Sequence, residues 1–228
     1  MHINKFADLT RKQFNDRYKT KKGVKVPKVP NKKSINNEKP HILRSTGLLP
    51  DSVDWKKAGK VSLPGDQGTC GSCWAWTSAS LLESLNAIQN NLKTVPRYSV
   101  QYLMDCDNVD WACDGGWMLD AFDWVKENGI VEWDSYPRQY VGMKSRCSAN
   151  SSMDRFFNKG GHEEDDVPNH RIKELLTRGP VGAAIKSNYD CLAYYRSGIV
   201  TESDCQCSDP KREEVDHAIT IVGYGQSE

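Results

Sequence analysis

A change in hydrophobic pattern near residue 180 limits the folds open to this chain. Before it, four segments predict helices, over about 72–90, 99–104, 117–129 and 169–178, the first and third with apolar residues near a 3.6-residue period. After it, PVGAAI, SGIVT and HAITIVGYG are short, β-branched and bounded by glycine, which is typical of strands. A helical first part followed by a β-rich second part predicts an α+β protein with two lobes, and the cleft between them is the expected site.

Composition favours a globular protein outside the reducing cytosol. The 228 residues carry 31 basic and 30 acidic side chains, so the net charge of +1 creates no field that would attract nucleic acid or an anionic membrane. No run reaches the length of about 20 apolar residues that a membrane span needs, and the N-terminus lacks the apolar stretch of a secretory signal. Eight cysteines spread along the chain favour an oxidising compartment. We expect a monomer with no nucleic-acid or membrane partner.

The first 48 residues differ in composition from the rest. Residues 20–47 are rich in Lys, Pro and Asn, which predicts an exposed, extended linker. Before it, Phe6, Leu9 and Phe14 lie among charged residues, in a segment that can dock on a partner surface but cannot form its own core. The density of Trp, Cys and Leu rises at LLPDSVDW, which places the start of the main globular body near Leu49.

The segment QGTCGSCWAW, residues 67–76, holds two cysteines three positions apart, and several kinds of site use that spacing. A thioredoxin-like redox pair needs a strand leading into it, whereas the preceding GKVSLPGDQGT is typical of turns. A zinc site could be built from Cys70, Cys73, Cys205 and Cys207, but the last two have only one residue between them, which is shorter than usual zinc-finger spacing. The redox and zinc interpretations are therefore disfavoured.

The acid-rich segment DCDNVDWACDGG, residues 105–116, invites a calcium interpretation. An EF-hand loop that began at Asp105 would have Val109 at its fifth position and Gly116 where a bidentate Glu is needed. The segment fails at both positions. We therefore expect neither a metal nor a cofactor.

Cys73 lies in the first turn of the first predicted helix, where the helix dipole and unsatisfied N–H groups favour a thiolate. A nucleophilic cysteine also needs a base. Of the five histidines, His217 alone opens an apolar strand, where packing would fix its position; the others lie in the N-terminal segment or in polar sequence, at His2, His41, His162 and His170. We therefore interpret Cys73 and His217 as a catalytic pair.

These residues resemble the papain-like cysteine proteases, of the cathepsin L type. QGTCGSCWAW resembles the active-site block of that family, whose catalytic histidine lies about 130 to 150 residues downstream. Here His217 follows Cys73 by 144 residues (217 − 73). From Leu49 to Gly225 the family's segments follow in order, as PDSVDW, DCDNVDWACDGG, ENGIVEWDSYP, RGPVGAAI and VDHAITIVGYG. FADLTRKQF resembles the end of the family's inhibitory propeptide.

The resemblance implies a cysteine endopeptidase that cleaves protein or peptide substrates through a thioester. Cys73 would be the nucleophile, held as a thiolate by the His217 imidazolium, and Gln67 would stabilise the oxyanion together with the Cys73 N–H. A glycine pair would bind the extended substrate backbone, and apolar residues would wall a pocket for a hydrophobic side chain two positions before the cut. These substrate-binding positions are Gly115, Gly116, Trp117, Met118, Ala184 and Ala218. Periodicity alone would place Met118 in an ordinary core.

The resemblance also implies two disulfides, Cys70–Cys113 and Cys106–Cys147, and leaves the pairing of Cys191, Cys205 and Cys207 open. It implies a lysosomal or extracellular protein, in which Asn150 of Asn-Ser-Ser would accept a glycan. The compartment and the glycan remain expectations.

The sequence departs from the family pattern at its ends. The family's third catalytic residue is an asparagine after the GYG segment, and no residue up to Glu228 takes that role. We expect a papain-like fold truncated at both ends, with a propeptide remnant and linker at 1–48, a helical lobe over about 49–155 and an incomplete β lobe over about 156–228. The propeptide remnant would act as an inhibitor. The alternative function is an inactive homologue that serves as a binding or inhibitory module.

Overall fold

The computed structural model describes residues 12–13, 48–206 and 214–226. The predicted propeptide segment around Phe6, Leu9 and Phe14 and the linker at 20–47 lie outside the described residues, as does Cys207.

The four predicted helices are present. They are α1 (Cys73–Gln89), α2 (Val100–Cys106), α3 (Met118–Asn128) and α4 (Asn169–Leu176), and three short helices add α5 (Asp190–Ala193), α6 (Glu202–Cys205) and a 3₁₀ turn at Ala112–Asp114. Each of the four predictions misses at least one observed end by one or two residues. Helix α2 begins after Ser99, whose hydroxyl accepts the Tyr102 N–H, and α3 ends before its capping residue Gly129, whose φ of 71° few other residues adopt.

The strands are short and pair in antiparallel fashion. They are β1 (Val53–Asp54), β2 (Ile130–Val131), β3 (Arg155–Phe156), β4 (Val181–Ile185), β5 (His217–Ile221) and β6 (Gly223–Tyr224). Across the described ranges, β4 pairs with β5, β1 with β6 and β2 with β3. The β4–β5 register sets Ile185 opposite His217 and Ala184 opposite Ala218. The α+β class is confirmed, and PVGAAI and HAITIVGYG form strands as predicted.

The prediction of a strand at SGIVT, residues 197–201, is wrong. Gly198 has a φ of 90°, which turns the chain, and its carbonyl accepts the Tyr195 hydroxyl at 2.7 Å. Ile199 is 69% exposed, and Thr201 caps helix α6 instead of continuing a strand. Local turn geometry therefore prevails over β propensity here.

The main core belongs to the helical lobe. Helix α1 is its axis, because the largest fully buried side chains pack around it, including Trp74, Leu82, Tyr102, Leu103 and Val125. Strand β4 crosses close to this core at Gly182, where a Cβ would lie 2.9 Å from Leu81 Cδ1 and from Met118 Sδ. The side chains of β4 and β5 are only half-buried. The β4–β5 pair thus lies directly against helices α1 and α3.

Three disulfides cross-link the described residues. Cys70–Cys113 and Cys106–Cys147 join residues 43 and 41 positions apart, and Cys191–Cys205 closes a shorter loop. In the loop-entropy model each of the two long bridges stabilises the fold by about 3 to 4 kcal/mol. Cys70–Cys113 ties the loop that leads to Gly115 and Gly116 to the turn before α1, and Cys106–Cys147 anchors the end of α2, where that loop begins.

Replacement of Gly223 by alanine tests the β1–β6 pair. A Cβ at this position would lie 2.1 Å from the carbonyl oxygen of Val53, so Gly223→Ala forces the two strands apart. We expect it to lower the free energy of unfolding by at least about 2 kcal/mol in urea titrations. Gly225→Ala is the matched control, since its Cβ would make an ordinary contact 3.5 Å from Ser52 Cβ. Equal losses in the two variants would contradict the close approach.

Candidate active site

Cys73 is the first residue of α1, and a cross-linked turn fixes its position. The preceding turn is closed by the Ser72 N–H, which donates to the Cys70 carbonyl at 2.8 Å. The Cys70–Cys113 disulfide and the Gly71 N–H, which donates to the Cys113 carbonyl at 3.1 Å, tie the turn to a second loop. Cys73 is buried, and within the described part of the chain it is the one cysteine outside a disulfide.

Tyr140 supports the same turn from a distant part of the sequence. Its hydroxyl donates to the Gln67 carbonyl at 2.7 Å and lies 2.6 Å from Ser72 Oγ. The ring packs edge-on against Trp76, with 4.9 Å between the ring centroids. Sequence reasoning missed Tyr140, because nothing in its local pattern indicates a partner about 70 residues away.

Gln67 lies at the start of this turn, and its side chain is held in place. The amide Nε2 donates one N–H to the Cys70 carbonyl at 3.0 Å. An amide nitrogen carries two N–H groups, so this bond orients the side chain while leaving it a second donor. The predicted oxyanion donor is therefore part of the turn that precedes Cys73.

The register of the β4–β5 pair sets the position of His217. His217 lies opposite Ile185, and the neighbouring Asp216 N–H donates to the Ile185 carbonyl at 3.0 Å. The Asp216 carboxylate accepts the Ser187 N–H at 2.6 Å, which closes this end of the strand pair. The Ala218 backbone lies close enough to the Cys73 sulfur to lower the pKa of the thiol. The fold thus brings the sulfur against the residue that follows His217.

The electrostatics of the Cys73 thiol are dominated by its burial. Burial raises the pKa of Cys73 above its ordinary value, and the negative charge of Asp216 raises this pKa further. The backbone hydrogen bonds from Ala218 and Trp74 lower the pKa but do not outweigh the burial. The helix N-terminus alone therefore does not make this thiol a thiolate, and a cation beside the sulfur is needed.

The loop at Gly115 and Gly116 lies directly beside this site. Gly115 has a φ of 111°, and its carbonyl accepts the Trp111 N–H at 3.0 Å. A Cβ on Gly116 would lie 2.4 Å from Asp110 Oδ1 and 2.7 Å from Trp74 Cδ2, so the backbone runs in contact with the neighbour of Cys73. Only glycine permits this approach.

Three of the predicted pocket residues share one side of the β4–β5 pair. Gly182 faces Met118, and Ala184, two residues further on, points to the same face. Ala218 is the register partner of Ala184 and lies on that face as well. Trp117 differs, because its indole Nε1 donates to Glu163 Oε2 at 2.9 Å. Met118, Ala184 and Ala218 are thus brought together, and Trp117 is anchored beside them by an acidic partner that sequence reasoning missed.

Other predicted features lie away from this cleft. Asn150 is exposed, and its Oδ1 accepts the Ser152 N–H at 3.0 Å.

In the portion of the chain that the structure describes, no group of three or more His, Cys, Asp or Glu side chains is placed to hold a metal ion. No helix in that portion is both long and apolar enough to cross a membrane.

Removal of the Asp216 charge tests the electrostatics of Cys73. Asp216→Asn keeps an oxygen to accept the Ser187 N–H but loses the negative charge that disfavours a thiolate. We expect the pKa of Cys73 to fall and alkylation by iodoacetamide at pH 8 to become about threefold faster. Glu214→Gln is the control, since Glu214 lies nearby and pairs with Lys186 instead. An unchanged alkylation profile in Asp216→Asn would contradict the assigned influence of this charge.

Comparison with known proteins places this site in a family. Residues 49–228 match the family described as "Papain family cysteine protease". The chain is 34% identical to the KDEL-tailed cysteine endopeptidase CEP2 of Arabidopsis thaliana, over 99% of this chain and 60% of that protein. The chain is also similar to the ragweed pollen cysteine protease Amb a 11, whose crystal structure was solved in its proform. The two chains are 30% identical in sequence, with a TM-score of 0.79, over 100% of this chain and 67% of that one.

A third similar protein is the cysteine protease CMS1MS2 of Carica candamarcensis, solved in complex with E-64. The two chains are 30% identical, with a TM-score of 0.66, over 77% of this chain and 78% of that one. The chain spans about 60% of the length of the curated relatives it matches. The extent of the family match and the shared fold lead to one conclusion: the chain belongs to the papain family of cysteine proteases.

Proposed function

We propose that this chain is the peptidase part of a cysteine endopeptidase, with Cys73 as nucleophile and His217 as its acid and base. The observation that carries the proposal is the packing of helix α1, which begins at Cys73, against strand β5, with the Ala218 backbone close enough to the sulfur to lower the pKa of Cys73. It supports the pairing because it sets a thiol outside any described disulfide beside the strand that begins with His217.

The reaction would begin from an ion pair. Burial raises the pKa of Cys73, so the thiolate would depend on the His217 imidazolium, which has received the thiol proton. The thiolate attacks the substrate carbonyl carbon and forms a tetrahedral oxyanion. The Cys73 N–H and the second N–H of the Gln67 amide would stabilise that oxyanion. One such donor is commonly worth about 3 kcal/mol of transition-state stabilisation.

Proton transfer would then complete two half-reactions. The His217 imidazolium protonates the leaving amine as the C–N bond breaks, which leaves a thioester on Cys73. Neutral His217 next takes a proton from water, whose oxygen attacks the thioester. The C–S bond breaks, the acid product leaves, and the thiolate–imidazolium pair is restored.

Substrate preference would follow from the walls of the cleft. The glycine edge at Gly115 and Gly116 would bind an extended peptide backbone. The face formed by Met118, Ala184 and Ala218 is apolar, which favours a hydrophobic side chain two positions before the cut. Trp117 would close the outer side of the cleft, since its bond to Glu163 anchors the indole.

The organisation of the chain is also part of the proposal. Residues 1–48 would belong to an inhibitory propeptide and its linker, followed by a helical lobe at about 49–155 and a β lobe at about 156–228. The similarity to Amb a 11 in its proform supports a zymogen. A lysosomal or extracellular location agrees with three disulfides and with the exposed glycan acceptor Asn150.

Covalent labelling tests the catalytic pair. A peptidyl epoxide such as E-64 should label the refolded protein once, at Cys73, and Cys73→Ala should abolish the label. His217→Ala should slow labelling at pH 5.5 by at least about 100-fold, because the buried thiol would lose the cation that keeps it ionised. His170→Ala is the control, since His170 lies on α4 and is exposed.

Two results would overturn the proposal. A label on another residue would remove Cys73 from its role. Equal labelling rates in His217→Ala and His170→Ala, with both variants folded, would remove His217. Absence of labelling in a folded, reduced sample would favour the inactive homologue.

A further inference from the structure

Two buried aspartates lie beneath the glycine edge, and the reaction as described does not use them. Asp107 and Asp110 are only 1% and 4% exposed, in the loop between α2 and α3. One oxygen of each carboxyl group accepts a backbone N–H: Asp107 Oδ1 accepts from Val109 at 2.8 Å, and Asp110 Oδ1 accepts from Trp117 at 2.6 Å. The other oxygen of each, Oδ2, is buried, and no donor from the described residues reaches it.

The Asp110 N–H donates to Asp107 Oδ1 at 3.3 Å, which sets the two carboxyl groups close enough to hydrogen-bond each other if one of them is protonated. Two carboxylates cannot do so, because both are acceptors only, whereas one neutral carboxyl group can donate to its ionised neighbour. A proton shared between the two carboxyl groups would supply a donor that the described residues do not offer to these buried oxygens. This arrangement resembles other buried carboxyl pairs, in which like charges prevent ionisation of both groups.

The charges that surround the pair favour retention of that proton. Lys144 is the nearby cation, and its Nζ donates to the Asp107 backbone carbonyl at 3.4 Å. The negative charge of Asp120 has the opposite effect and raises the pKa of Asp110. Asp123 and Glu163 raise the pKa of Asp120 in the same way. Burial and the charge of Asp107 raise the pKa of Asp110 to about 8, and burial raises the pKa of Asp107.

We propose that Asp107 and Asp110 share one proton and that this hydrogen bond positions residues 115–117 to bind the peptide backbone of a substrate. The second half of the statement rests on the proposed endopeptidase function; the shared proton does not. Asp107 and Asp110 are positioning residues, since they act through the backbone of the glycine edge.

The link to the edge is direct. Asp110 holds the Trp117 N–H, and its Oδ1 occupies the space beside Gly116 where a side chain would otherwise project. When the proton is lost, two charges share one buried site, and one carboxylate must turn away. Rotation of Asp110 breaks its bond to Trp117 and removes the support beneath Gly116. The edge beside Trp74 and Cys73 then loses its fixed position.

The sign of the pH effect follows from the raised pKa. A carboxyl group whose pKa is higher in the folded than in the unfolded state stabilises the fold fully below its unfolded value of about 4. That stabilisation declines as pH rises and is lost at about pH 8, where Asp110 ionises in the fold. The glycine edge therefore keeps its fixed position in acid and neutral solution and loses it above about pH 8.

Thermal unfolding of an amide variant tests the shared proton without any need for activity. In Asp110→Asn, the amide Nδ2 donates to Asp107 while Oδ1 still accepts from Trp117, so the protonated arrangement persists at every pH. We expect wild type and Asp110→Asn to melt within about one degree of each other at pH 5. At pH 8 the variant should melt several degrees higher.

Two further variants serve as the control and the substitute for Asp110→Asn in the melting experiment. Asp114→Asn makes the same chemical change in the same loop outside the pair and should leave the pH dependence of wild type intact. If Asp110→Asn does not fold, Asp107→Asn serves instead, because its amide donates to Asp110 in the reverse direction. Melting curves of wild type and the amide variants that run parallel from pH 5 to pH 8 would overturn the shared proton.

The positioning role has its own measurement. The rate of Cys73 labelling by a peptidyl epoxide saturates with its concentration, which separates binding (KI) from the maximal rate. Between pH 5 and pH 9 we expect KI to rise about tenfold in wild type, because about nine tenths of Asp110 is ionised at pH 9, and to stay constant in Asp110→Asn, while the maximal rates change alike. A KI with the same pH dependence in both would overturn the positioning role.

These outcomes separate the two proposals. If no variant is labelled at any pH, the endopeptidase function fails, and the melting curves still decide the shared proton. If labelling succeeds but the melting curves are parallel, the endopeptidase function stands and the shared proton fails.

Discussion

The packing of helix α1 against strand β5, which brings the Cys73 sulfur close to the Ala218 backbone, is the contact on which the site depends. It joins the first residue of α1 to the second residue of β5, which are far apart in sequence and belong to different parts of the fold. The helix end is fixed by the Cys70–Cys113 disulfide and the strand by its pairing with β4. The helix end and the strand are thus each held in place by contacts other than the one between them.

The same packing leaves the Cys73 thiol in surroundings that disfavour its ionisation. The sulfur is buried, and burial raises its pKa, so the helix N-terminus and two backbone hydrogen bonds are insufficient to ionise it. An imidazolium supplied by the adjacent residue of the strand would change this balance, because an opposite charge a few ångströms away favours the thiolate. The need for His217 therefore follows from the burial of Cys73.

Sequence patterns predicted the scaffold better than the network within it. Helix α1 and strand β5 were predicted because apolar periodicity and β-branched residues reflect local burial. The strand at 197–201 was wrong, because Gly198 turns the chain there. Tyr140 and Asp110 escaped prediction for a different reason: each acts through hydrogen bonds to backbone groups, which leave no periodic signal in the sequence. Asp110 was considered only as part of a calcium loop, and its bond to Trp117 depends on a fold that the local pattern does not specify.

The central claim is that the sulfur of Cys73 and the imidazole of His217 form an ion pair, and nuclear magnetic resonance titration of His217 tests it most directly. In wild type the imidazolium should persist well above the ordinary histidine pKa of about 6.5. In Cys73→Ala the pKa of His217 should return toward that value, because the thiolate that stabilises the cation is gone. The same pKa in both proteins would show that the two groups do not share a charge, and would contradict the account.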